Sequence, residues 1–273
     1  MERKINWSEI KDFSFSIRQN IVKTAENIKE QSHWGSNLSC VEILTVVYKL
    51  LSNIGNKGLP YEKQDKVIVS KGHAGLVSYL VLQEIGLLNG VQELFHGNGS
   101  QFSEELEMNA DNQIVCSTGS LGIGVPYAVG LALLAKKRGW QFNVYVVCGD
   151  GECDEGVVWE ALLFAAANKL DNITLFVDRN RLQLDGFSKD VLSLGDIEKK
   201  LDSFDWSVSC VDGHDESALF EAAIRNNTGK PKAIIADTVK GKGISFMENK
   251  AEWHDKLLSG KLLEQAKREM KLQ

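Results

Sequence analysis

Three short segments of the chain are apolar almost throughout, without a polar residue at every second position. They read VYVVC (144–148), ITLFV (173–177) and AIIAD (233–237). A strand that faces water on one side would alternate, whereas a strand of a parallel sheet is covered by helices on both faces. The pattern therefore predicts a doubly wound α/β fold, with a mostly parallel sheet and helices on both faces.

Helical patterns separate these strands, as that fold requires. Apolar residues at helical spacing (Ile17, Ile21, Ala25 and Ile28) predict a first amphipathic helix. Ser39 and Glu42 predict a capping box at the start of a helix over 41–51. Further predicted elements are a strand at 66–70 and helices at 74–85, 124–137, 156–169 and 257–272.

Residues 88–113 show no clean periodicity, and a segment of that length inside a compact domain is usually functional or disordered. No internal repeat or proline-rich linker divides the chain. We therefore expect residues 1–273 to form a single domain.

Composition excludes several classes of function. The net charge of −6 gives no support for binding to nucleic acid or an anionic membrane. Five cysteines without a CxxC pair indicate reduced thiols in the cytoplasm. Residues 1–30 lack the apolar core of a signal peptide, and no uncharged run approaches the roughly 20 residues of a membrane helix. We expect a soluble cytoplasmic protein with no nucleic-acid or membrane partner.

Polar residues follow two of the apolar strands at the point where each ends. Gly149, Asp150 and Gly151 follow the first strand, and Asn180 follows the second. The carboxyl ends of parallel strands meet at one sheet edge, where α/β proteins bind ligands. The Asp150 carboxylate, the Asn180 carbonyl and a nearby backbone carbonyl would form an oxygen set suited to Mg²⁺ or Ca²⁺.

The helix predicted at 156–169 would turn its amide groups and positive dipole end toward the same loop, which suits a diphosphate. The alternative is an ordinary strand-to-helix turn, but the order of GDG, helix, strand and asparagine favours a binding site. A nicotinamide-type GxGxxG is absent because position 154 is aspartate.

This segment resembles the thiamine-diphosphate motif of the transketolase family, GDG followed by asparagine. Other motifs of that family appear in the same order: QSHWGSNLS (31–39), SKGHA (70–74), STGSLGIGVPYAVGLAL (117–133), and TVKGKGISFMEN followed by WH (238–254). Several ordered motifs are much more specific than any one of them.

The resemblance implies roles for particular residues. The metal would be held by Asp150, Asn180 and the backbone carbonyl of Leu182. Thiamine diphosphate would be contacted by a larger set: His73, Gly119, Ser120, Leu121, Gly149, Asp150, Gly151, Glu152, Asn180 and His254. The catalytic residues would be His33, His73 and His254, with His33 reaching the sugar. A side chain with a pKa near 6.5 can both give and take protons near neutrality.

Other residues are assigned differently. His96 and His214 match no family motif, and we expect structural roles for them. Glu155 and Glu160 match acidic positions that lie near the subunit interface in the family.

Full-length members of the family continue into a second domain, which supplies a glutamate that activates the cofactor. Residues 255–273 are too few to form it. We therefore expect the pyrimidine-binding and C-terminal domains on a partner chain, giving an enzyme that is active only as a complex, with α2β2 stoichiometry.

Three segments depart from the family on the sugar side, one of them the first histidine loop with Trp34, Ser36 and Asn37. Residues 103–107 stand where the family commonly has GHPE, with Glu105 at its histidine, and Asp255 replaces the glycine of WHG. We expect transfer of a two-carbon ketol unit from a ketose to an aldose, with a non-standard sugar or sugar phosphate. The alternatives are a half of another thiamine-diphosphate enzyme (1-deoxyxylulose 5-phosphate synthase-like or 2-oxo-acid dehydrogenase α-like) and a non-catalytic cofactor-binding or regulatory subunit.

Overall fold

The computed structural model describes residues 5–226 and 229–272, and within these ranges five strands form one sheet. Every pair of neighbouring strands is parallel, and the spatial order is β1-β2-β3-β5-β4. The predicted α/β fold with a parallel sheet is confirmed. The strands are β1 (Lys66–Val69), β2 (Val144–Gly149), β3 (Ile173–Arg179), β4 (Ser207–Asp212) and β5 (Lys232–Asp237).

Helices cover both faces of the sheet. In the described ranges they are α1 (Trp7–Thr24), α2 (Trp34–Ser39), α3 (Val41–Thr45), α4 (Gly75–Glu84), α5 (Val91–Leu94), α6 (Gly124–Arg138), α7 (Gly156–Ala167), α8 (Ser188–Val191), α9 (Ile197–Ser203), α10 (Glu216–Ile224) and α11 (Gly260–Glu269). None of these helices combines the length and the apolar character needed to cross a membrane.

Two separate cores explain why the central strands are apolar throughout. In β2, Tyr145 and Val147 pack on one face with residues of α1, α3 and α4. Val144 and Val146 pack on the other face with residues of α6 and α7. Each side chain of the strand is therefore buried on one face or the other. Burial of a valine or leucine side chain contributes about 1.5–3 kcal/mol.

The observed helices correct two predictions. The capping box is wrong, because Ser39 lies inside α2 and its hydroxyl donates to Asp178, whereas Glu42 pairs with Arg18. The first helix ends at Thr24, so Ile28 is buried beyond the helix rather than within it. Elsewhere the predicted bounds lie within a few residues of the observed ones.

Candidate active site at the carboxyl edge of the sheet

The GDG turn lies where β2 passes into a short 3₁₀ segment ahead of α7. Gly149 pairs with Asp178 of β3, which brings the ends of the two strands side by side. Asp150 is buried, and its Oδ2 accepts hydrogen bonds from the Arg181 amide (2.9 Å) and the Ser188 hydroxyl (3.1 Å). No described residue donates to its Oδ1. One carboxylate oxygen is thus held by the loop after β3, and the other is free for a ligand.

Three oxygen groups predicted to hold a metal line one cavity of about 350 Å³, on Asp150, Asn180 and Leu182. Burial, and then the neighbouring Asp178 carboxylate, raises the pKa of Asp150 to about 6. A cation beside Asp150 would offset both effects. The set consists of a carboxylate, an amide carbonyl and a backbone carbonyl, the hard oxygen ligands that Mg²⁺ and Ca²⁺ prefer. The residues present therefore fit a divalent metal.

Glu152 lies at the border of the cavity and also has a structural role. Its side chain borders the cavity, but its carboxylate accepts hydrogen bonds from the Ser70 hydroxyl, the Gly122 amide (2.8 Å) and the Gly149 amide (3.2 Å). These donors belong to three separate segments of the chain. The side chain is therefore used to hold the loops of the site together.

Lys240 is a site residue that the motif analysis did not single out. It lines the cavity and is 1% exposed, and its Nζ lies 2.8 Å from His254 Nδ1 and 3.5 Å from the Leu182 carbonyl oxygen. Burial, and then the charge of Lys71, lowers the pKa of Lys240 to about 7. Within the described residues it forms no ion pair with a carboxylate. A buried amine without an anionic partner favours an anionic ligand, and a diphosphate fits this place.

Lys71 was also missed, although it lies within the SKGHA motif. Its ammonium donates to the Ser36 carbonyl oxygen (3.0 Å), to the Ser39 hydroxyl (2.9 Å) and to Asp178. Asp178 also accepts a hydrogen bond from Thr238. This buried pair ties α2 and the segment after β1 to the ends of β3 and β5. A lysine and an aspartate directly beside apolar strand residues are the sequence signal for it.

The three predicted catalytic histidines come together. The rings of His33 and His73 stack with 4.2 Å between centroids, and that of His254 lies 5.4 and 5.1 Å from them. The buried amide of Asn37 joins two of the loops, donating to the carbonyl oxygens of His33 (2.9 Å) and His73 (3.2 Å). Residues distant in the sequence thus form one cluster beside the oxygen set.

The electrostatics keep two of these rings neutral near pH 7. Burial, and then the His33 imidazole, lowers the pKa of His73 to about 4. Burial, and then Lys240, lowers the pKa of His254 to about 2. A neutral imidazole offers one donor and one acceptor, so it can hydrogen-bond to a hydroxyl or phosphate and move a proton.

The histidine cluster has the spacing of a metal site but not its geometry. One nitrogen from each of His33, His73 and His254 lies within 4.8 Å of the others. A metal ligand must direct its in-plane lone pair at the ion from about 2.0–2.1 Å. The rings of His33 and His73 are stacked, with 28° between their planes, so their in-plane lone pairs lie in separate, nearly parallel planes and do not converge on one ion. The cluster is therefore arranged for hydrogen bonding.

The twelve predicted site residues separate into two groups. Ten of the twelve line the cavity: His33, His73, Leu121, Gly149, Asp150, Gly151, Glu152, Asn180, Leu182 and His254. Gly119 and Ser120 do not, although both lie beside the site. Gly119 has a φ of 128°, and a Cβ built on it would lie 2.0 Å from Glu105 Oε2. The positive φ favours glycine at this position, whereas the flexible end of the Glu105 side chain could move aside.

The two other histidines differ from each other. His214 is structural as predicted, since its ring contacts Glu42 Oε2 (3.0 Å) and accepts from the Val239 amide (2.9 Å). His96 lies closer to the site than expected, with its Nε2 3.7 Å from Glu104 Oε2.

Comparison with known proteins agrees with this geometry. Residues 14–273 match the family described as the thiamine diphosphate binding domain of transketolase. The chain belongs to the transketolase family. It is 38% identical over 270 residues to the apulose-4-phosphate transketolase subunit of Actinobacillus succinogenes, with 98% of each chain covered. It is 33% identical over 241 residues to the 6-deoxy-6-sulfo-D-fructose transketolase subunit of a Clostridium strain, with 87% of this chain and 88% of that relative covered.

A solved transketolase shows the same relation in three dimensions. The enzyme of Campylobacter jejuni superposes with a TM-score of 0.88 at 26% identity, over 98% of this chain and 43% of that one. The chain thus spans less than half of a full-length transketolase. It is a transketolase-type enzyme subunit that carries the thiamine-diphosphate-binding domain, and the predicted family is confirmed.

Proposed function

We propose that the chain is the diphosphate- and metal-binding half of a split transketolase that transfers a two-carbon ketol unit from a ketose to an aldose. One observation carries the proposal. A single cavity joins the oxygen set of Asp150, Asn180 and Leu182 to the buried Lys240 and the three histidines. Neither a plain turn nor a non-catalytic fold requires a buried amine, a free carboxylate oxygen and clustered imidazoles together.

At the cofactor end, Asp150, Asn180 and the Leu182 carbonyl would hold Mg²⁺ or Ca²⁺. Lys240 and the Gly151 amide would hold the diphosphate of thiamine diphosphate. A Cβ on Gly151 would lie 2.9 Å from the Gln183 side chain, so glycine avoids a clash at the turn that would hold the diphosphate. When bound, thiamine diphosphate supplies the electron sink for cleavage of the bond beside a ketose carbonyl.

At the sugar end, the chain's own residues would orient hydroxyl groups and move protons. His73 and His254 are neutral at pH 7 because their pKa values are lowered, so each can accept or donate a hydrogen bond. His33 would reach the sugar. Departures of Glu105 and Asp255 from the family pattern support a non-standard sugar, with or without a phosphate. The relatives named for apulose 4-phosphate and 6-deoxy-6-sulfo-D-fructose support the same proposal.

The pyrimidine-binding and C-terminal domains would be carried by a partner chain, in an α2β2 complex. The relatives that match over nearly their whole length are named as subunits. Exposed apolar side chains on and around α6 and α7 support a partner there: Leu121, Ile123, Tyr127, Leu163 and Phe164. A patch of that kind is typical of a protein interface. We place the complex in the cytoplasm, in keeping with five free cysteines.

The test is reconstitution with a candidate partner, a transketolase-like chain that carries the pyrimidine-binding domain. Ketol transfer should appear only when both chains, thiamine diphosphate and Mg²⁺ are present, and Asp150→Ala should abolish it. Asp190→Ala, which removes an exposed carboxylate on α8, is the matched control and should keep activity. A panel of ketose donors would identify the sugar.

Two results would contradict the proposal. Turnover with pyruvate but with no ketose would indicate another class of thiamine-diphosphate enzyme. Failure to bind thiamine diphosphate in calorimetry, with and without the partner, would favour the non-catalytic alternative.

A further inference from the structure

The loop between α5 and α6 places a carboxylate against the histidine cluster. Glu104 Oε1 accepts a hydrogen bond from the backbone amide of His33 (3.1 Å) and lies 3.0 Å from its ring Nδ1. Its other oxygen, Oε2, lies 3.7 Å from His96 Nε2. The side chains of Glu104 and His33 are 19% and 13% exposed, so water competes little for this contact.

The charge of Glu104 decides which nitrogen of His33 carries the proton. Burial raises the pKa of Glu104, but hydrogen bonding and the charges of the neighbouring His33 and His96 together outweigh burial, so the pKa is lowered. Glu104 is therefore ionised near pH 7, and an ionised carboxylate can only accept. In the neutral ring, Nδ1 must then carry the hydrogen, and Nε2 keeps its lone pair.

We propose that Glu104 is a positioning residue that holds His33 in its Nδ1–H tautomer, so that His33 enters the reaction as a proton acceptor through Nε2. The inference rests on the proposed function only for the role of His33 in proton transfer. Once His33 takes a proton, the adjacent carboxylate stabilises the imidazolium. Two hydrogen bonds to one residue also fix the ring against rotation.

This contact is a property of the present chain rather than of the family motif. With Glu105 at the histidine of GHPE, Glu104 stands at the glycine, which has no carboxylate to offer. Glu105 occupies a different place, with its Oε1 3.7 Å from His73 Nε2. The loop therefore supplies one acidic side chain to each of the two stacked histidines.

The tautomer can be read directly from the imidazole nitrogen signals of the ¹⁵N-labelled chain by NMR, without cofactor or partner. In the wild type, His33 should show a protonated Nδ1 and an unprotonated Nε2. Glu104→Leu removes the acceptor and should convert this signal to a mixture of tautomers. Glu107→Leu removes an exposed carboxylate from the same loop and should leave the signal unchanged. Circular dichroism would verify that each variant is folded.

A conservative variant separates charge from hydrogen bonding. Glu104→Gln keeps an acceptor oxygen, so this variant should retain the Nδ1–H signal. It provides a test whether or not Glu104→Leu folds. In the reconstituted complex, Glu104→Gln should lower kcat about 10- to 100-fold with KM for the ketose nearly unchanged, because general acid–base groups contribute about 10²–10⁴-fold. An Nε2–H signal in the wild type, or an unchanged signal in folded Glu104→Leu, overturns the proposal. Absence of ketol transfer would count against the proposed function alone, since the NMR result does not depend on turnover.

Discussion

The two ends of the cavity, where we propose that the cofactor and the sugar bind, are built in different ways. At the cofactor end, Asp150 and Asn180 directly follow adjacent parallel strands, β2 and β3, whose register places them together. At the sugar end, His33, Glu104 and Glu105 lie on loops whose positions depend on long-range hydrogen bonds. The strand ends provide groups for a cofactor common to the family. The loops carry the residues that differ from the family's motifs. Cofactor binding and sugar choice should therefore respond to different substitutions.

The largest effect is expected from Asp150. Asp150→Ala should weaken the affinity for thiamine diphosphate in Mg²⁺ at least about 100-fold, equivalent to about 2.7 kcal/mol, since it removes the only charged metal ligand proposed. Calorimetry measures this, with Asp190→Ala as the control. An affinity within about threefold of wild type would show that the metal lies elsewhere. It would contradict the proposal that the ends of β2 and β3 form the cofactor site.

The next effect is expected from Lys240. Lys240→Met should weaken the affinity for thiamine diphosphate about 10-fold or more, because it removes a charge-assisted contact with the diphosphate. The exposed Lys250→Met is the matched control and should bind normally. Equal affinities of the two variants would place the diphosphate away from Lys240.

Lys240 also predicts a dependence of stability on pH in the ligand-free chain. Its pKa is about 7 in the folded state, against 10.5 for an unperturbed lysine side chain, so the folded state binds fewer protons between these values. Its contribution to the free energy of unfolding should therefore rise as pH increases from about 7 toward about 10.5. Urea unfolding at pH 7 and pH 9 should show this rise in the wild type and a smaller one in Lys240→Met.

A fourth prediction concerns the sugar end. Glu105→His restores the family's residue and should change the ratio of kcat/KM between two ketose donors about 10-fold, or about 1.4 kcal/mol. The affinity for thiamine diphosphate should stay unchanged. Glu107→His, at an exposed position of the same loop, should alter neither quantity. A loss of cofactor affinity in Glu105→His would show that the two ends are not independent.

The smallest effect that we expect is a dependence of Mg²⁺ binding on pH. The pKa of Asp150 is raised to about 6, so the carboxyl must lose a proton before it can bind Mg²⁺ at lower pH. Mg²⁺ should therefore raise the Tm more at pH 7.5 than at pH 5.5. Thermal unfolding of Asp150→Asn, which cannot ionise at this position, should show no such difference.

The sequence predicted the fully buried strands of the sheet better than the partly buried strand β4. β2, β3 and β5 are buried on both faces, so their apolar runs were clear. β4 was missed because it is an edge strand, only partly buried, with polar residues at Ser207, Ser209 and Asp212. α9 and α10 around it were missed as well, since their short apolar stripes are interrupted by charged residues.

The site was predictable wherever one motif supplies one ligand. Ten of the twelve predicted residues line the cavity. The pairs that were missed join separate segments of the chain: Lys71 and Asp178 are 107 residues apart, Glu104 and His33 are 71 apart, and Lys240 and His254 are 14 apart. A charged residue beside an apolar strand marks a candidate, as at Lys71 and Asp178, but sequence spacing does not show which residues pair, so the pairing itself is revealed only by the fold.

Glu152 gives the site a further property. Its carboxylate joins Ser70, Gly122 and Gly149, so the segments after β1, before α6 and at the end of β2 share one acceptor group. Fixing the backbone of a residue costs about 1–2 kcal/mol in conformational entropy. For these three segments that cost is met when the chain folds, not when a ligand arrives. The cofactor would therefore bind to a surface that is already ordered. The enthalpy and entropy of binding should then arise from desolvation and ion pairing more than from loop closure.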